Sequence, residues 1–600
     1  MTQQKLPQLR RLSQILFLLF FLLLMMKTES FSSLRAVRGE VRLPYPVSFF
    51  LQLDPLVALA SALSSHTLYR GLLWSLAILI PTLFLGRFFC GWICPLGTLN
   101  HYLSSWKSER KRGPARLERN RYKQWQTLKY YLLIAGLVSA LFGGSLIGIL
   151  DPISLTVRSL GTSVFPAINY ALDAILGALH RSPAGPLRTV GFVAQLVLNE
   201  TLLSFRQPHY RQAFLLGAIF IALLALNLRI TRFWCRALCP LGALLGIVSR
   251  WSILGLEKNP ALCDNCNHCL LDCQGGDDPH PQAKWRKAEC HLCFNCVGAC
   301  PVAPGFSPAS TRTATSGAES AALPTKSGQV PGGATSTTES GLRFKFFPAT
   351  PTSIDSPNLQ RRRTLAGVAA GAVLLPILRS GPAFAAAKDP RLIRPPGALD
   401  ERSFLARCIR CGECMKVCPN NALHPALLEA GVEGLWTPVL APRIGYCEPS
   451  CVLCGEVCPT GAIWEITQAE KAWLPASAAK DAKPLRLGTA FYDRGRCLPW
   501  AMATECIVCE EWCPTSPKAI YLRPVEVTDS LGNVKQIRQP YVDPGRCVGC
   551  GACEFACPVK DQPSIYVTSI GESRSKTNQI LLNRQEGGPR SEVRGPKPNS

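Results

Sequence analysis

Six hundred residues are too many for one small domain, and a mean hydropathy of +0.13 with several long apolar runs indicates a membrane protein that also carries soluble parts. The net charge of +25 comes with no helix-turn-helix pattern and no aromatic-studded basic face, so it gives no indication of a nucleic-acid partner. All 28 cysteines fall in C-x2-C-type or C-x3-C-P arrays, which leaves none for a disulfide framework and reads as metal ligation.

In chain order, Lys5, Arg10 and Arg11 precede an apolar run at 15–26, short for a span and also fitting the h-region of a signal. Residues 72–89 form the second expected span, with a kink at Pro81. It runs into Arg87-Phe88-Phe89-Cys90-Gly91-Trp92-Ile93-Cys94-Pro95-Leu96-Gly97. The basic loop that follows, from Lys107 to Lys129, belongs in the cytoplasm by the positive-inside rule. Residues 130–150 and 213–230 are spans three and four. Between them, 160–205 is interrupted by Asn169, Asp173 and Asn199, and is either interfacial or one extra hairpin.

Two internal echoes organise this part. Arg232-Phe233-Trp234-Cys235-Arg236-Ala237-Leu238-Cys239-Pro240-Leu241-Gly242 repeats the end of span two, and Leu150-Asp151-Pro152 repeats Leu53-Asp54-Pro55. Residues 1–256 are therefore expected to form an α-helical membrane bundle of about four spans, built as duplicated helix pairs.

Residues 257–301 carry Cys263, Cys266, Cys269 and Cys273, then Cys290, Cys293, Cys296 and Cys300 ahead of Pro301. Residues 302–357 have the Ser, Thr, Ala, Gly and Pro content of a flexible linker. Residues 358–388 open on Arg361, Arg362 and Arg363, continue as a weakly apolar run and close on Ala385, Ala386 and Ala387. That layout fits an export signal or anchor inside the chain, and the arginines before Thr364-Leu365 resemble a twin-arginine signal. Residues 389–570 hold Cys408, Cys411, Cys414 and Cys418 with Cys447, Cys451, Cys454 and Cys458. They also hold Cys497, Cys506, Cys509 and Cys513 with Cys547, Cys550, Cys553 and Cys557. Residues 571–600 read as a disordered tail.

Three thiolates on one tight loop hold three corners of a cubane, and the fourth, ahead of a proline, reaches the neighbouring cluster. Six [4Fe–4S] clusters in α+β two-cluster ferredoxin-like domains are expected on that rule. Cys300 joins Cys263, Cys266 and Cys269, while Cys273 joins the other triplet. Cys458 pairs with Cys408, Cys418 with Cys447, Cys557 with Cys497, and Cys513 with Cys547. Structural zinc, the alternative, needs neither the crossing nor the proline. Gln274 in place of proline and the long gap from Cys497 to Cys506 depart from the pattern.

Each C-x3-C-P pair spans about one helical turn, with both sulfurs expected at the cytoplasmic end of a span. Cys90, Cys94, Cys235 and Cys239 are either one further four-cysteine metal or cluster site or a set of redox thiols. Asp54 and Asp151, each before a proline, fit helix N-caps with proline at N1. Their functional reading is proton uptake from a quinol at the outer membrane surface. No C-x-x-C-H motif suggests haem, and His66, His101, His180 and His209 form no matched intramembrane pair. No Rossmann fingerprint or P-loop stands out either.

The paired spans ending in C-x3-C-P, the basic loop and the arrays up to Pro301 resemble the NapH/MauN ferredoxin-type membrane proteins. Residues 358–570 resemble NapG/MauM, an exported ferredoxin with four clusters. A fusion of the two implies a quinol dehydrogenase module of the bacterial inner membrane. Its first ferredoxin domain would be cytoplasmic and the residues after 388 periplasmic. Electrons from the quinol pool would reach a periplasmic redox enzyme such as a nitrate reductase. The same C-x3-C-P core also resembles the cytochrome oxidase accessory ferredoxins, which implies a copper-handling maturation factor as the alternative. Electron transfer across a hydrocarbon core of about 30 Å requires a relay, and the motif thiols are expected at one face only.

Overall fold

The computed structural model describes residues 5–27, 35–37, 40–43, 46–67, 69–108, 113–201, 207–258, 266–275, 286–299, 342–346, 359–380, 389–474, 483–528 and 532–579. Cys263, Cys300 and the alanines at 385–387 lie outside them.

Helix starts in the bundle follow from two dipeptides. Helix α1 is Leu6–Lys27, and α2, Pro55–Ser65, begins where the Asp54 carboxylate accepts the Leu56 and Val57 amides at 2.8 and 3.3 Å. Helix α3 is Leu76–Leu85, α4 is Pro95–Ser108 and α5 is Leu128–Leu141. Asp151 accepts the Ser154 amide at 2.7 Å and opens α6, Pro152–His180. Helices α7, Gly185–Thr201, α8, Ala213–Leu226, and α9, Pro240–Val248, complete the bundle. Sulfur replaces the carboxylate at two of these starts: Cys94 Sγ accepts the Gly97 amide at 3.4 Å and Cys239 Sγ the Gly242 amide at 3.2 Å. The Asp-Pro and Cys-Pro echoes are thus four helix caps, each with proline fitting N1 because its missing N–H is not needed there.

The expected spans are shorter than their hydropathy suggests. Among the described residues, two helices rather than four are long and apolar enough to cross a membrane, Leu6–Lys27 and Pro152–His180. The span expected at 72–89 breaks at Gly86, whose φ of +74° a side chain rarely adopts, and that at 130–150 turns at Gly143. Of the two alternatives for 160–205, the described residues form the hairpin: α6 and α7 pack on each other, with Leu179 against Gly191.

Helix α10, Arg361–Ser380, packs along α5. Gln360 N donates to the Tyr131 hydroxyl at 3.1 Å, Gly367 sits over Tyr131 and Gly371 over Ala135. This glycine pair, four residues apart, lets the two backbones touch as in membrane helix pairs. Leu365, Val373 and Leu374 face away and are exposed. A Cβ on Gly371 would lie 2.5 Å from the Ala135 carbonyl oxygen and 2.8 Å from Val138 Cβ. Gly371→Leu is therefore expected to cost about 1–3 kcal/mol through overpacking. Thermal melting of the detergent-solubilised chain, with hydrogen exchange along α10, checks this, and an unchanged melt would contradict the packing.

The first ferredoxin module is bound to the chain beyond it. Strand β1, Leu254–Lys258, pairs antiparallel with β2, Leu342–Phe346. The stretch 302–357 is thus not linker throughout: five of its residues form a strand, because Leu-Arg-Phe-Lys-Phe alternates as a strand does. The second module contains α11, Glu401–Arg407, and three antiparallel ribbons. These are β3, Leu423–Pro425, with β4, Pro438–Leu440; β5, Thr489–Tyr492, with β8, Ile565–Thr568; and β6, Ile520–Thr528, with β7, Val534–Val542. It extends past 570 into the expected tail. Asn578 Nδ2 donates to Ser569 O at 2.8 Å and Arg574 Nη1 to Leu399 O at 3.1 Å, so 571–579 is ordered.

The two modules sit at opposite ends of the bundle, and α1 measures the gap. Near its start, Arg10 donates to Gln274 and Asn295 of the first module at 3.2 and 3.1 Å. Near its end, the Met25 carbonyl accepts from Lys416 of the second. Fifteen residues of helix separate these contacts by about 22 Å.

Candidate metal centres

Among the described residues, no three His, Cys, Asp or Glu side chains converge tightly enough to hold a single metal ion. The thiols gather instead in looser sets of the kind a cubane needs. Cys408, Cys411, Cys414 and Cys458 line one space with Phe404, Ile409 and Ile463. Cys273, Cys290, Cys293 and Cys296 line another. Cys418 faces Cys447 and Cys451, Cys497 faces Cys506, Cys509 and Cys557, and Cys513 faces Cys547, Cys550 and Cys553. The fourth cysteine of each array thus crosses to its neighbour's triplet wherever the described residues allow a comparison. Cys266 and Cys269 belong to the set whose remaining members, Cys263 and Cys300, lie outside those residues.

Burial pushes the Cys418 and Cys509 thiols up to about 11 and Cys451 up to about 12. Thiolates crowded this way form only with a bound cation to stabilise them. Donors are already aimed at the sulfurs. Ala422 N lies 3.2 Å from Cys418 Sγ, Tyr492 Oη 3.0 Å from Cys509 Sγ, and Lys471 Nζ 3.6 Å from Cys447 Sγ. Such contacts tune the potential of a ligated cluster.

Inside the bundle, Cys90, Cys94, Cys235 and Cys239 are all buried and within electrostatic reach of one another. Asn100 Nδ2 donates to Cys235 Sγ at 3.5 Å. Two fully buried arginines, Arg87 and Arg232, act on Cys90. Arg232 Nη1 donates to the Cys90 carbonyl at 3.0 Å, and Arg87 Nη1 to Ala288 O of the first module at 2.6 Å. Nε and Nη2 of both guanidiniums have no hydrogen-bond partner. Arg87 has the Glu289 carboxylate 3.6 Å away, and the donors that remain idle beside four thiols favour a further anionic group, which a thiolate-ligated cluster would supply. The Arg-Phe flank of each motif was the sequence signal for these arginines, but it did not reveal their function.

The bundle anchors both neighbouring modules. Glu289 accepts Lys129 Nζ at 2.5 Å and the Tyr130 hydroxyl at 2.9 Å, with Arg87 3.6 Å away. At the opposite end, Arg410 Nη1 donates to Ser145 O at 2.5 Å, and Arg158 Nη1 donates to Arg410 O at 2.8 Å while stacking on Trp436. A Cβ on Gly148 would come within 2.6 Å of Ile409 O. Ile409 and Cys411 share one apolar core with Cys90, Cys94 and Cys239. The motif thiols are buried where the bundle meets the first module, with Gly91 against the His291 carbonyl and Trp92 Nε1 donating to Leu292 O at 3.0 Å, and their apolar core reaches Ile409 and Cys411 of the second.

Asp54 and Asp151 are also brought together. Both are fully buried, both cap helices, and their carboxyl groups hydrogen-bond each other. Apart from that contact, Asp54 Oδ2 and Asp151 Oδ1 have no partner.

These arrays define an iron–sulfur electron-transfer protein of the ferredoxin type. A 4Fe-4S binding domain family matches residues 67–114 and 212–256, a 4Fe-4S dicluster domain family matches 503–560, and another 4Fe-4S binding domain family matches 405–424. The chain belongs to the NapG/MauM family of ferredoxin-type proteins. It is 34% identical over 219 residues to ferredoxin-type protein NapG of Escherichia coli, covering 36% of this chain and 84% of that one. It is 34% identical over 175 residues to the methylamine utilization ferredoxin-type protein MauM of Paracoccus denitrificans, covering 28% and 68%. To MauM of Methylorubrum extorquens it is 35% identical over 186 residues, covering 30% and 73%. No solved structure matches it.

Proposed function

We propose that this chain is a membrane-bound quinol dehydrogenase module, a NapH-type membrane part fused to a NapG-type ferredoxin. Electrons from the quinol pool pass by way of six [4Fe–4S] clusters to a periplasmic redox enzyme, nitrate reductase-like or related. The first module is cytoplasmic and the residues after 388 are periplasmic. Helix α10 stays in place as an anchor, its arginines at the cytoplasmic end beside the start of α5.

The observation that carries this reading is the four-thiol site in the bundle. Along α1, Gln14 donates to Gly91 O between the first two motif cysteines, eleven residues before the Met25–Lys416 contact. That shortens the crossing from about 22 Å to about 16 Å. Cys90, Cys94, Cys235 and Cys239 would hold a further iron–sulfur group there, whose chemistry when bound is one-electron transfer. Arg87 and Arg232 supply the counter-charge, and the cap amides of Gly97 and Gly242 orient two of the sulfurs.

Anaerobic mixing of membranes containing the full chain with a reduced quinol analogue tests this. The expected result is bleaching of the cluster absorbance, with iron and no zinc in the purified protein. Reduction of added Cu(II) while the clusters stay oxidised would overturn it in favour of a copper-handling maturation factor.

A further inference from the structure

The buried carboxyl pair lies on the line between the two modules. Phe21 of α1 packs edge-on against Phe50, four residues before Asp54, with centroids 5.2 Å apart. Phe21 is seven residues beyond the Gln14 contact with the first motif, so the pair lies about 10 Å further along the axis than Cys90. Besides Asp54, Cys94 from the first motif and Arg158 from its own helix are titratable groups within electrostatic reach of Asp151. Arg158 in turn faces Arg410, Cys408 and Cys411. The pair is thus bracketed by the four-thiol site on one side and the nearest thiol set of the second module on the other.

Two carboxyl groups hydrogen-bonded to each other in a dry interior cannot both be ionised, so they hold at least one proton between them. Each is also tied to a helix N-terminus through its other oxygen, which favours keeping one negative charge on the pair. The resting pair then carries one proton and one charge, with room for a second proton. An electron arriving at a buried anionic site nearby favours filling that place, because uncompensated charge is costly in a low-dielectric interior.

We infer that Asp54 and Asp151 form a redox-linked proton store for the four-thiol centre. The singly protonated pair takes up one solvent proton when the centre gains one electron from quinol, and releases it when that electron leaves. Oxidation of one quinol to quinone releases its two protons to solvent and supplies two electrons, one for each of two turnovers of the centre; the proton that the pair borrows from solvent in each turnover is returned when the electron leaves. This inference rests on the intramembrane site of the proposed function.

Redox titration of the purified full chain at a series of pH values, followed by electron paramagnetic resonance, tests it. The intramembrane signal is identified as the one lost in Cys94→Ser. Its midpoint is expected to fall by about 59 mV for each tenfold drop in proton concentration, and to become flat in Asp54→Asn/Asp151→Asn. Asparagine keeps an oxygen for each helix cap, and the single variants provide a second route if the double variant fails to fold. Infrared spectra in H2O and D2O give an independent readout: a protonated carboxyl band in the wild type that is absent from the double variant. A pH-independent midpoint in the wild type overturns the proton store and leaves the relay standing. If Cys94→Ser removes no signal, the relay itself fails.

Discussion

Replacing Cys94 and Cys239 together by serine is expected to stop electrons crossing the bundle while leaving both ferredoxin modules loaded. The two cysteines come from different repeats and cap α4 and α9. Serine can still accept the Gly97 and Gly242 amides, so the helix starts survive while two of the four sulfurs are lost. Arg232 then loses its anionic neighbour and Arg87 keeps only Glu289, and the crossing returns to the full separation of the modules. In proteoliposomes, with a membrane-impermeant reductant outside and a dye acceptor inside, the transfer rate should fall about a hundredfold or more, equivalent to about 2.7 kcal/mol of barrier. Iron per chain should fall by one cluster. An unchanged rate together with unchanged iron would remove the intramembrane centre from the scheme.

The largest loss of stability is expected from Arg394→Met in the second module. Arg394 is 1% exposed and donates to Glu401 at 2.6 Å, Thr437 Oγ1 at 2.9 Å and Pro438 O at 2.8 Å. Its guanidinium also lies over the Phe404 ring. Removing one partner of such a pair leaves the other charge uncompensated and costs about 3–5 kcal/mol. Arg574, 2.9 Å from the same carboxylate, recovers part of that. Burial alone would raise the pKa of Glu401, but Arg394 and then Arg574 overcome it and hold the carboxyl at about 2, against an ordinary 4.5. The folded value is the lower one, so this contribution is complete above the unfolded value and disappears as pH falls through about 2. The wild type should therefore lose stability in acid between those limits, and Arg394→Met should lose less there. Melting temperatures of the detergent-solubilised full chain across that pH range measure both effects. Equal acid sensitivity in wild type and variant would sink the assignment.

Local spacing made the cysteine arrays legible. A cluster loop needs three thiols within a few residues, so Cys408, Cys411 and Cys414 announce themselves whatever the rest of the chain does. The Asp-Pro caps were readable for the same reason, since capping joins residues two or three apart. The crossing of Cys458 to the Cys408 set followed from a proline rule that summarises a known fold. Spans were less legible. Hydropathy at 72–89 and 130–150 says apolar, but Gly86 and Gly143 end the helices there, and the long continuous helix lies at Pro152–His180. The strand at Leu342–Phe346 was hidden because its partner, Leu254–Lys258, is more than eighty residues away.

By itself the sequence determined the family, the thiol sets that belong to each module, and the duplication within the helical core. Only the tertiary structure decided that Cys90, Cys94, Cys235 and Cys239 share one interior, that Asp54 meets Asp151, and that Ile409 is seated on Gly148 of the bundle. These are contacts between segments remote in the chain. Their geometry depends on how the two repeats pack against each other, and no spacing along one strand of sequence encodes that.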